Sequence, residues 1–367
     1  MNLTVTRPRI LVFLLACLSS VGGVSRATDE QPSPQPTSDT AVVFMYHHFG
    51  VDKYPETNVT LAQFEAHIDY LEHHNFTVWP LEDIISTLEQ GRKLPQRTVA
   101  ITIDDAYTSV YTEAWPRLRA RHWPFTVFVS TDVIDQHLAA FMSWDQMREM
   151  HDAGVTFANH SSRHDHMTRR QDGEDRQQWL TRVRNDIEHA QQRLQQELGT
   201  APKLFAYPYG EYNLALKTLI QKLGYTAFTQ QSGAIALYPY TDRQLLPRFP
   251  MADHYADLDQ FETKAATLAL PVISAEPEEP LTTDTRPTLT VTLDDTRINA
   301  AQRQQLRCYV TGQGQTPVRW LDERRFAVTA RLPLAAGRDR YNCTAPSDQD
   351  QRYFWFSRLW IIAGGDD

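Results

Sequence analysis

Short apolar runs alternate with segments of helical periodicity along roughly the first 270 residues of the chain. Each run is continuous in its apolar character, which is typical of strands buried on both faces of a parallel sheet. The runs lie at 41–45, 99–103, 125–129 and 155–158, and shorter segments at 204–206 and 225–228 continue the series. The alternation predicts an α/β fold, either a barrel or a doubly wound sheet.

Two of the intervening segments carry apolar residues at helical spacing. Thr60 is a suitable N-cap for the first, and Gly199 ends the second. The apolar positions are Leu61, Phe64, Ile68 and Leu71 in the first segment, and Leu180, Val183, Ile187, Leu194 and Leu198 in the second. Both segments are predicted to be amphipathic helices.

The last part of the chain has a different pattern, with short alternating or aromatic runs that predict antiparallel strands. The runs lie at 289–293, 308–310, 326–330 and 353–356. A small β-sandwich is the simplest arrangement. Its aromatic residues fit a buried core or a sugar-stacking platform. Cys308 and Cys343 are expected to pair in an oxidising compartment, and two buried thiols are the alternative.

Two polar segments that contain proline divide the chain. Residues 28–40 are expected to form a flexible leader, and residues 274–287 a linker. These boundaries predict a catalytic domain at 41–273 and a β-rich accessory domain at 288–367.

The first 27 residues have the pattern of a signal peptide: a basic start, an apolar stretch and small residues before Ala27. An alternative places a lipid on Cys17, which would tether the protein to a membrane. Both predict an exported protein, located in the periplasm, at the cell surface or in the medium. No later segment approaches the roughly 20 apolar residues of a membrane span.

The formal net charge of −9 argues against nucleic acid as a partner, because polyanions require a basic surface.

Candidate chemistry follows three of the apolar runs. Asp104 and Asp105 directly follow the run at 99–103. Two adjacent carboxylates would repel each other there, and a cation is their natural partner. His160 and His164 follow the run at 155–158, and their spacing would place both imidazoles on one side of a helical turn. His166 is an alternative to either histidine.

The third segment, 205–212, contains Pro208 and Gly210 directly after a strand. These residues predict a shaped loop whose backbone N–H groups can meet a developing oxyanion.

In this order the three segments resemble the polysaccharide deacetylases of carbohydrate esterase family 4, over roughly residues 41–262. The opening Met45-Tyr46-His47-His48 resembles the branch that acts on poly-N-acetylglucosamine. The resemblance implies a distorted (β/α)7-type barrel, followed here by the β-rich domain, and a hydrolase that releases acetate from an N-acetylated polysaccharide.

The resemblance also implies roles for individual residues. Asp104 corresponds to the general base, while Asp105, His160 and His164 correspond to the ligands of a divalent metal, commonly zinc. The backbone N–H of Tyr209 would stabilise the oxyanion. Pro208 and Tyr209, with His47, are expected to contact substrate.

Two departures from the family pattern leave the general acid unassigned. Phe205 stands where the family often has an arginine, and no clear Leu-x-His segment follows. Arg248 is the candidate to orient Asp104 in place of that arginine, and His254 is the nearest late histidine.

Three functions remain in view. The first is N-deacetylation of a polymer of N-acetylglucosamine. The second is hydrolysis of another, non-peptide amide, which would suit an enclosed pocket better than an open groove. The third is a carbohydrate-binding protein without turnover, which need not bind a metal.

Overall fold

The computed structural model describes residues 1–2, 37–237, 239–349 and 351–364. Nearly all of the predicted signal peptide, the lipidation alternative at Cys17 and residues 28–36 of the predicted leader lie outside the described residues. Thr37 and Ser38, at the end of that leader, form a short strand paired with Leu94 and Pro95.

The strands of the described chain are numbered in chain order. They are β1 (Thr37–Ser38), β2 (Thr40–Tyr46), β3 (His48–Phe49), β4 (Asn58–Val59), β5 (Thr77–Val78), β6 (Leu94–Pro95), β7 (Thr98–Asp104), β8 (Thr126–Val129), β9 (Thr156–Asn159), β10 (Leu204–Ala206), β11 (Thr226–Phe228), β12 (Ala234–Ala236), β13 (Phe249–Pro250), β14 (Leu268–Ala269), β15 (Val272–Glu276), β16 (Leu281–Thr282), β17 (Thr288–Leu293), β18 (Arg307–Val310), β19 (Gly314–Thr316), β20 (Val318–Trp320), β21 (Arg325–Thr329), β22 (Gly337–Pro346) and β23 (Tyr353–Ile362).

The α-helices are α1 (Leu61–His73), α2 (Leu81–Glu89), α3 (Trp115–Ala120), α4 (Thr131–Asp135), α5 (Trp144–Asp152), α6 (Arg176–Leu198), α7 (Leu214–Lys222), α8 (Leu258–Ala265) and α9 (Ala300–Gln304). Both predicted helices are confirmed: Thr60 forms a capping box at the start of α1, and Gly199 ends α6 with a positive φ of 77°. In the described part of the chain, no helix has the length and apolar character that crossing a bilayer requires.

A central sheet carries the strands that the apolar runs predict. Its main path is β11-β10-β9-β8-β7-β2-β12. Neighbours pair in parallel from β11 to β2, whereas β12 is antiparallel to β2. The α/β class is therefore confirmed.

The central sheet is curled. Phe128 of β8 and Phe228 of β11 have ring centroids only 5.5 Å apart. In a flat sheet their strands, three steps apart on the path, would lie roughly 14 Å apart, at ~4.8 Å per strand. Among the described residues no ladder joins β11 to β12, so the predicted distorted barrel takes the form of an open half-barrel.

Strands from β14 onward form two more sheets. One has the order β14-β23-β22-β18-β19, with β16 also paired to β23, and the other has the order β15-β17-β21-β20. Side chains of both sheets, among them Leu289 and Trp360, share one buried cluster. The predicted Cys308–Cys343 disulfide is present and joins β18 to β22. β15 and β16 overlap the segment predicted as a linker, and the accessory-domain boundary stays a prediction.

His67 on α1 links the helical layer to the sheet. Its Nε2 lies 2.7 Å from the carbonyl oxygen of Ala256, so Nε2 carries the proton, and its Nδ1 lies 3.1 Å from the hydroxyl of Tyr46, which donates. Burial lowers the pKa of His67 from 6.5 to about 4; the Ala256 carbonyl opposes this shift, and Lys264 adds to it.

We expect His67 to make the fold sensitive to acid. The unfolded chain takes up this proton at a higher pH than the folded chain, so the stabilisation is complete above pH 6.5 and is lost as the pH falls towards 4. The loss from this group amounts to at most about 3 kcal/mol. Urea unfolding at pH 7.5 and pH 5 should show a smaller difference for His67→Gln than for the wild type, with the exposed His73→Gln as control. An undiminished pH dependence in His67→Gln would contradict the assignment.

Candidate functional site

The candidate residues follow parallel strands of the central sheet. Asp104 is the last residue of β7, His160 follows β9, and Tyr207 follows β10. Because adjacent parallel strands expose their carboxyl ends at one edge, the three predicted segments meet there. His47 follows β2, which pairs with β7 through Tyr46 and Ile103, and it therefore emerges beside Asp104.

Asp104 forms a buried, bidentate ion pair with Arg248. Nη1 donates to Oδ1 at 2.7 Å and Nη2 donates to Oδ2 at 2.8 Å, and neither side chain has measurable exposure. Arg248 also donates to the Thr229 carbonyl and the Thr102 hydroxyl. The guanidinium is thus fixed on several sides, and the contact predicted between Arg248 and Asp104 is present.

The surroundings of Asp104 keep it ionised. Burial by itself raises the pKa of this carboxyl, but the charge of Arg248 and then that of His160 more than reverse the effect. The pKa of Asp104 becomes about 2, and His47 contributes in the same direction. Asp104 is therefore a carboxylate at any pH near neutrality.

Asp105, His160 and His164 form the second part of the site. Oδ1 of Asp105 lies 3.5 Å from Nε2 of His160 and 3.4 Å from Nε2 of His164, and the two Nε2 atoms lie 3.2 Å apart. Ligands bound to one tetrahedral zinc ion at about 2.0–2.1 Å stand roughly 3.3 Å from one another. The three atoms therefore have the separations that a shared divalent ion requires.

The tautomer of His160 also suits a ligand. Its Nδ1 lies 2.8 Å from the carbonyl oxygen of Ala206, which can only accept a hydrogen bond. Nδ1 therefore carries the proton, and Nε2 presents its lone pair to Asp105 and His164. Such a hydrogen bond on the distal ring nitrogen is the usual arrangement for a metal-binding histidine. Burial lowers the pKa of His160 to about 4, which favours the neutral ring.

The segment that carries the two histidines is an irregular loop, and the predicted helical turn is wrong. Ser161 and His164 have positive φ values of 71° and 58°. Asn159 Oδ1 accepts from the Ser161 N–H, and Ser161 Oγ accepts from the His164 N–H. Asn and Ser side chains compete with helical hydrogen bonds in this way, so the loop is stabilised by side chains.

His166, the alternative ligand, points to a different partner. Its Nδ1 lies 2.9 Å from Oε2 of Glu211, and its ring stacks on that of Tyr209 with centroids 3.9 Å apart. Among the described residues, the group with metal-binding geometry contains His160 and His164 without His166.

The Pro208–Gly210 turn follows β10 as a short 3-10 segment. Tyr209 has a φ of 58°, and its half-buried ring packs edge-on against His164 with centroids 4.6 Å apart. Pro208 is buried, so its ring shapes the loop and has little surface for the substrate contact predicted for it.

His254, the late histidine named from the sequence, is 63% exposed and pairs with Asp253.

Two further residues near the site are absent from the sequence prediction. Tyr107 stacks on His48 with ring centroids 3.6 Å apart. Burial raises the pKa of the Tyr107 hydroxyl, and the charge of Asp105 raises it further. Its position two residues after Asp105 is a signal that could have identified it. Arg338 donates from Nη1 to the carbonyl of Tyr209 at 2.6 Å. It lies 129 residues from its partner, and no local pattern points to it.

The chain is similar to known polysaccharide deacetylases. Residues 91–228 match the family model for polysaccharide deacetylase. The poly-beta-1,6-N-acetyl-D-glucosamine N-deacetylase of Staphylococcus epidermidis is 28% identical over 213 residues, which cover 56% of this chain and 70% of that protein. The enzyme of the same name from Staphylococcus aureus is 24% identical over 215 residues, covering 57% and 73%.

Solved structures share the fold. The Streptococcus pyogenes deacetylase PplD in complex with acetate has a TM-score of 0.55 at 19% identity, covering 62% of this chain and 98% of that one. IcaB from Ammonifex degensii has a TM-score of 0.54 at 23% identity, covering 62% and 97%. These structures show the fold, while the family model and the two staphylococcal relatives confirm the family resemblance that the motifs predict.

Proposed function

We propose that this chain, a hydrolase that carries a polysaccharide deacetylase domain, removes N-acetyl groups from a polymer of N-acetylglucosamine and releases acetate. The observation that carries the proposal is the pairing of two sites at one sheet edge. One is an ionised, buried carboxylate, Asp104, and the other is the metal-ligand geometry of Asp105, His160 and His164. Hydrolysis of an amide by water needs both a base and an electrophile.

Asp105, His160 and His164 are the residues that would hold a divalent metal, most suitably zinc. One carboxylate and two imidazoles are a typical catalytic zinc set, which leaves a coordination position open. When bound, such an ion lowers the pKa of water and polarises a carbonyl. A carboxylate with a pKa as low as that of Asp104 is a weak base towards free water, so this chemistry is what the site requires.

Asp104 would accept the proton of the attacking water. Arg248 holds both carboxylate oxygens in place, which fixes the direction from which the proton arrives and keeps the carboxylate ionised until it does. The metal ligands are the next residue, Asp105, and two histidines of the loop that follows β9, so the base and the metal ligands lie at the same edge of the sheet.

The backbone N–H of Tyr209 is our candidate for stabilising the oxyanion that forms on the acetyl group. Preorganised N–H donors are effective in this role because they need no reorientation during the reaction. His47, half-buried beside Asp104 at the end of β2, is our candidate to protonate the departing amine. Tyr209 and His47 would also contact the sugar.

The polymer as substrate is supported by the similarity to the two staphylococcal poly-beta-1,6-N-acetyl-D-glucosamine N-deacetylases. The Tyr46-His47 segment at the end of β2, which resembles the same branch of the family, also supports it. We further propose that the chain is exported and that residues 288–367 form a β-rich accessory domain, with attachment through Cys17 as an alternative to signal cleavage. Two functions compete with this proposal. One is hydrolysis of a different, non-peptide amide, and the other is carbohydrate binding without turnover.

Metal removal tests the proposal. Purified protein stripped with a chelator should release no acetate from N-acetylglucosamine oligomers, and zinc or cobalt should restore the release, because the three ligands then regain the ion. Acetate is measured by an enzyme-coupled assay, and the metal by elemental analysis. Metal bound without release would favour a different amide, and neither metal nor release would favour the binding protein.

A matched pair of variants tests the ligand set. His164→Ala should lose the bound metal, because one of three ligands is removed. His166→Ala should keep it, since His166 bonds to Glu211 instead. Loss of metal from both variants, or from neither, would contradict the assignment.

A further inference from the structure

Arg338 lies on β22, far outside the 91–228 segment that matches the family model. Its side chain nevertheless reaches the loop that follows β10. Nη1 donates to the carbonyl of Tyr209 at 2.6 Å, and Nε lies 3.5 Å from Oε1 of Glu211. The guanidinium carbon is 5.5 Å from the centre of the Tyr209 ring. One side chain of the C-terminal sheets thus contacts the loop at three points.

The loop is also fixed by a hydrogen bond within it and by its close approach to Gln230. Gly210 N–H donates to the Tyr207 carbonyl at 2.8 Å. Gly210 has a φ of 69°, and a Cβ at this position would stand 2.6 Å from Cβ of Gln230. Only glycine fits this close approach. The peptide that joins Tyr209 to Gly210 therefore has its N–H bonded within the loop, to the Tyr207 carbonyl, and its carbonyl bonded to Arg338.

Glu211 strengthens the contact between Arg338 and the loop. This carboxylate is buried and also receives hydrogen bonds from His166 and from the Thr168 hydroxyl. Arg338 is the cation that joins Glu211 to the Tyr209 carbonyl, and a planar guanidinium can bridge two acceptors in a fixed geometry.

The strand that carries Arg338 is well anchored. β22 pairs with β23 along its whole length, with Arg338 opposite Ile361, and the Cys308–Cys343 disulfide ties it to β18. A side chain that is 35% exposed is usually free to reorient, but here its three contacts and its rigid strand set its direction.

We propose that Arg338 is a positioning residue for the deacetylation reaction: it holds the Tyr209 peptide so that the adjacent N–H points at the oxyanion. This inference rests on the proposed function. It also gives the C-terminal sheets a role in catalysis, because Arg338 on β22 supports the loop that carries Tyr209.

The test compares Arg338→Ala, Arg338→Lys and the control Arg307→Ala in the full-length, zinc-loaded protein. Arg307 is an exposed arginine on β18 whose side chain bonds only to its own neighbours, Gln304 and Leu306, among the described residues.

Arg338→Ala should lower kcat by about 10–100-fold, since small misplacements of a catalytic group cost this much. KM and metal content should change less than about threefold, and Arg307→Ala should match the wild type. Arg338→Lys should recover only part of kcat, because one ammonium cannot bridge both acceptors. An unchanged kcat in Arg338→Ala, or a loss expressed only in KM, would overturn the proposal.

Hydrogen exchange gives a second readout that does not depend on activity. Amides in the peptide covering 207–212 should exchange about tenfold faster or more in Arg338→Ala, with exchange elsewhere unchanged. If the wild type releases no acetate, the proposed function fails; faster exchange limited to 207–212 would still support the positioning by Arg338. Unchanged exchange in this segment would overturn it in either case.

Discussion

Replacing Asp104 with asparagine is expected to lower kcat for acetate release by about 10²–10⁴-fold, the usual contribution of a general base. Asparagine has nearly the shape of aspartate but cannot accept the proton of the attacking water. The metal ligands on Asp105, His160 and His164 are untouched. The measurement is kcat on N-acetylglucosamine oligomers with zinc supplied, alongside metal content and circular dichroism at the assay temperature.

A matched control separates chemistry from folding. Asp145→Asn neutralises a carboxylate that is 89% exposed and should leave kcat unchanged. Because Asp104→Asn leaves the buried Arg248 without its partner charge, the double variant Asp104→Asn, Arg248→Met should fold better and remain equally inactive. Near-wild-type turnover in either Asp104 variant, with the protein folded and metal bound, would refute the role of Asp104 as base.

Replacing Arg248 with methionine is expected to lower the free energy of unfolding by about 3–5 kcal/mol at pH 7, because breaking a buried ion pair leaves one charge uncompensated. The remaining charge is Asp104, which has no measurable exposure. Urea unfolding of the wild type and Arg248→Met at pH 7 measures the difference. The double variant should be more stable than the sum of the two single changes predicts, since both charges are then gone.

The pH dependence of this loss gives a sharper check. In the wild type the pKa of Asp104 is about 2, against 3.8 for an ordinary aspartate, so its stabilisation is present above pH 4 and is lost only in strong acid. In Arg248→Met the largest cause that opposes burial is removed, so we expect the pKa of Asp104 to rise above its ordinary value. The variant therefore regains stability relative to the wild type as the pH falls from 7 towards 5. A difference that stays constant over this range, or additive effects in the double variant, would show that the pair is not coupled as described.

Much of the fold could be predicted because its strands are locally unambiguous. The runs at 99–103 and 155–158 became β7 and β9 within one residue at each end, since a strand buried on both faces must be apolar throughout. The start of α1 was equally clear, because Thr60 and Gln63 form a capping box within four consecutive residues. Such signals involve only residues that are neighbours in the chain.

The conformation of the site loops could not be predicted in the same way. The His160–His164 spacing fits a helical turn, but Asn159 and Ser161 bond to the backbone and give a loop with two positive φ values. Both imidazoles nevertheless reach Asp105, because the loop directs them to it in place of one helical face.

The sequence by itself determined the α/β class, the apolar strands, the order of the three motifs and the residue types of the site, because each depends on local pattern and on the resemblance that the motifs carry. Only the tertiary structure established that Arg248, a candidate in the sequence, pairs with Asp104 across 144 residues, that His166 bonds to Glu211, and that Arg338 reaches Tyr209. The physical reason is the same in each case. These contacts depend on how the sheet curls and where the chain returns to its edge, and no periodicity along the chain records that geometry.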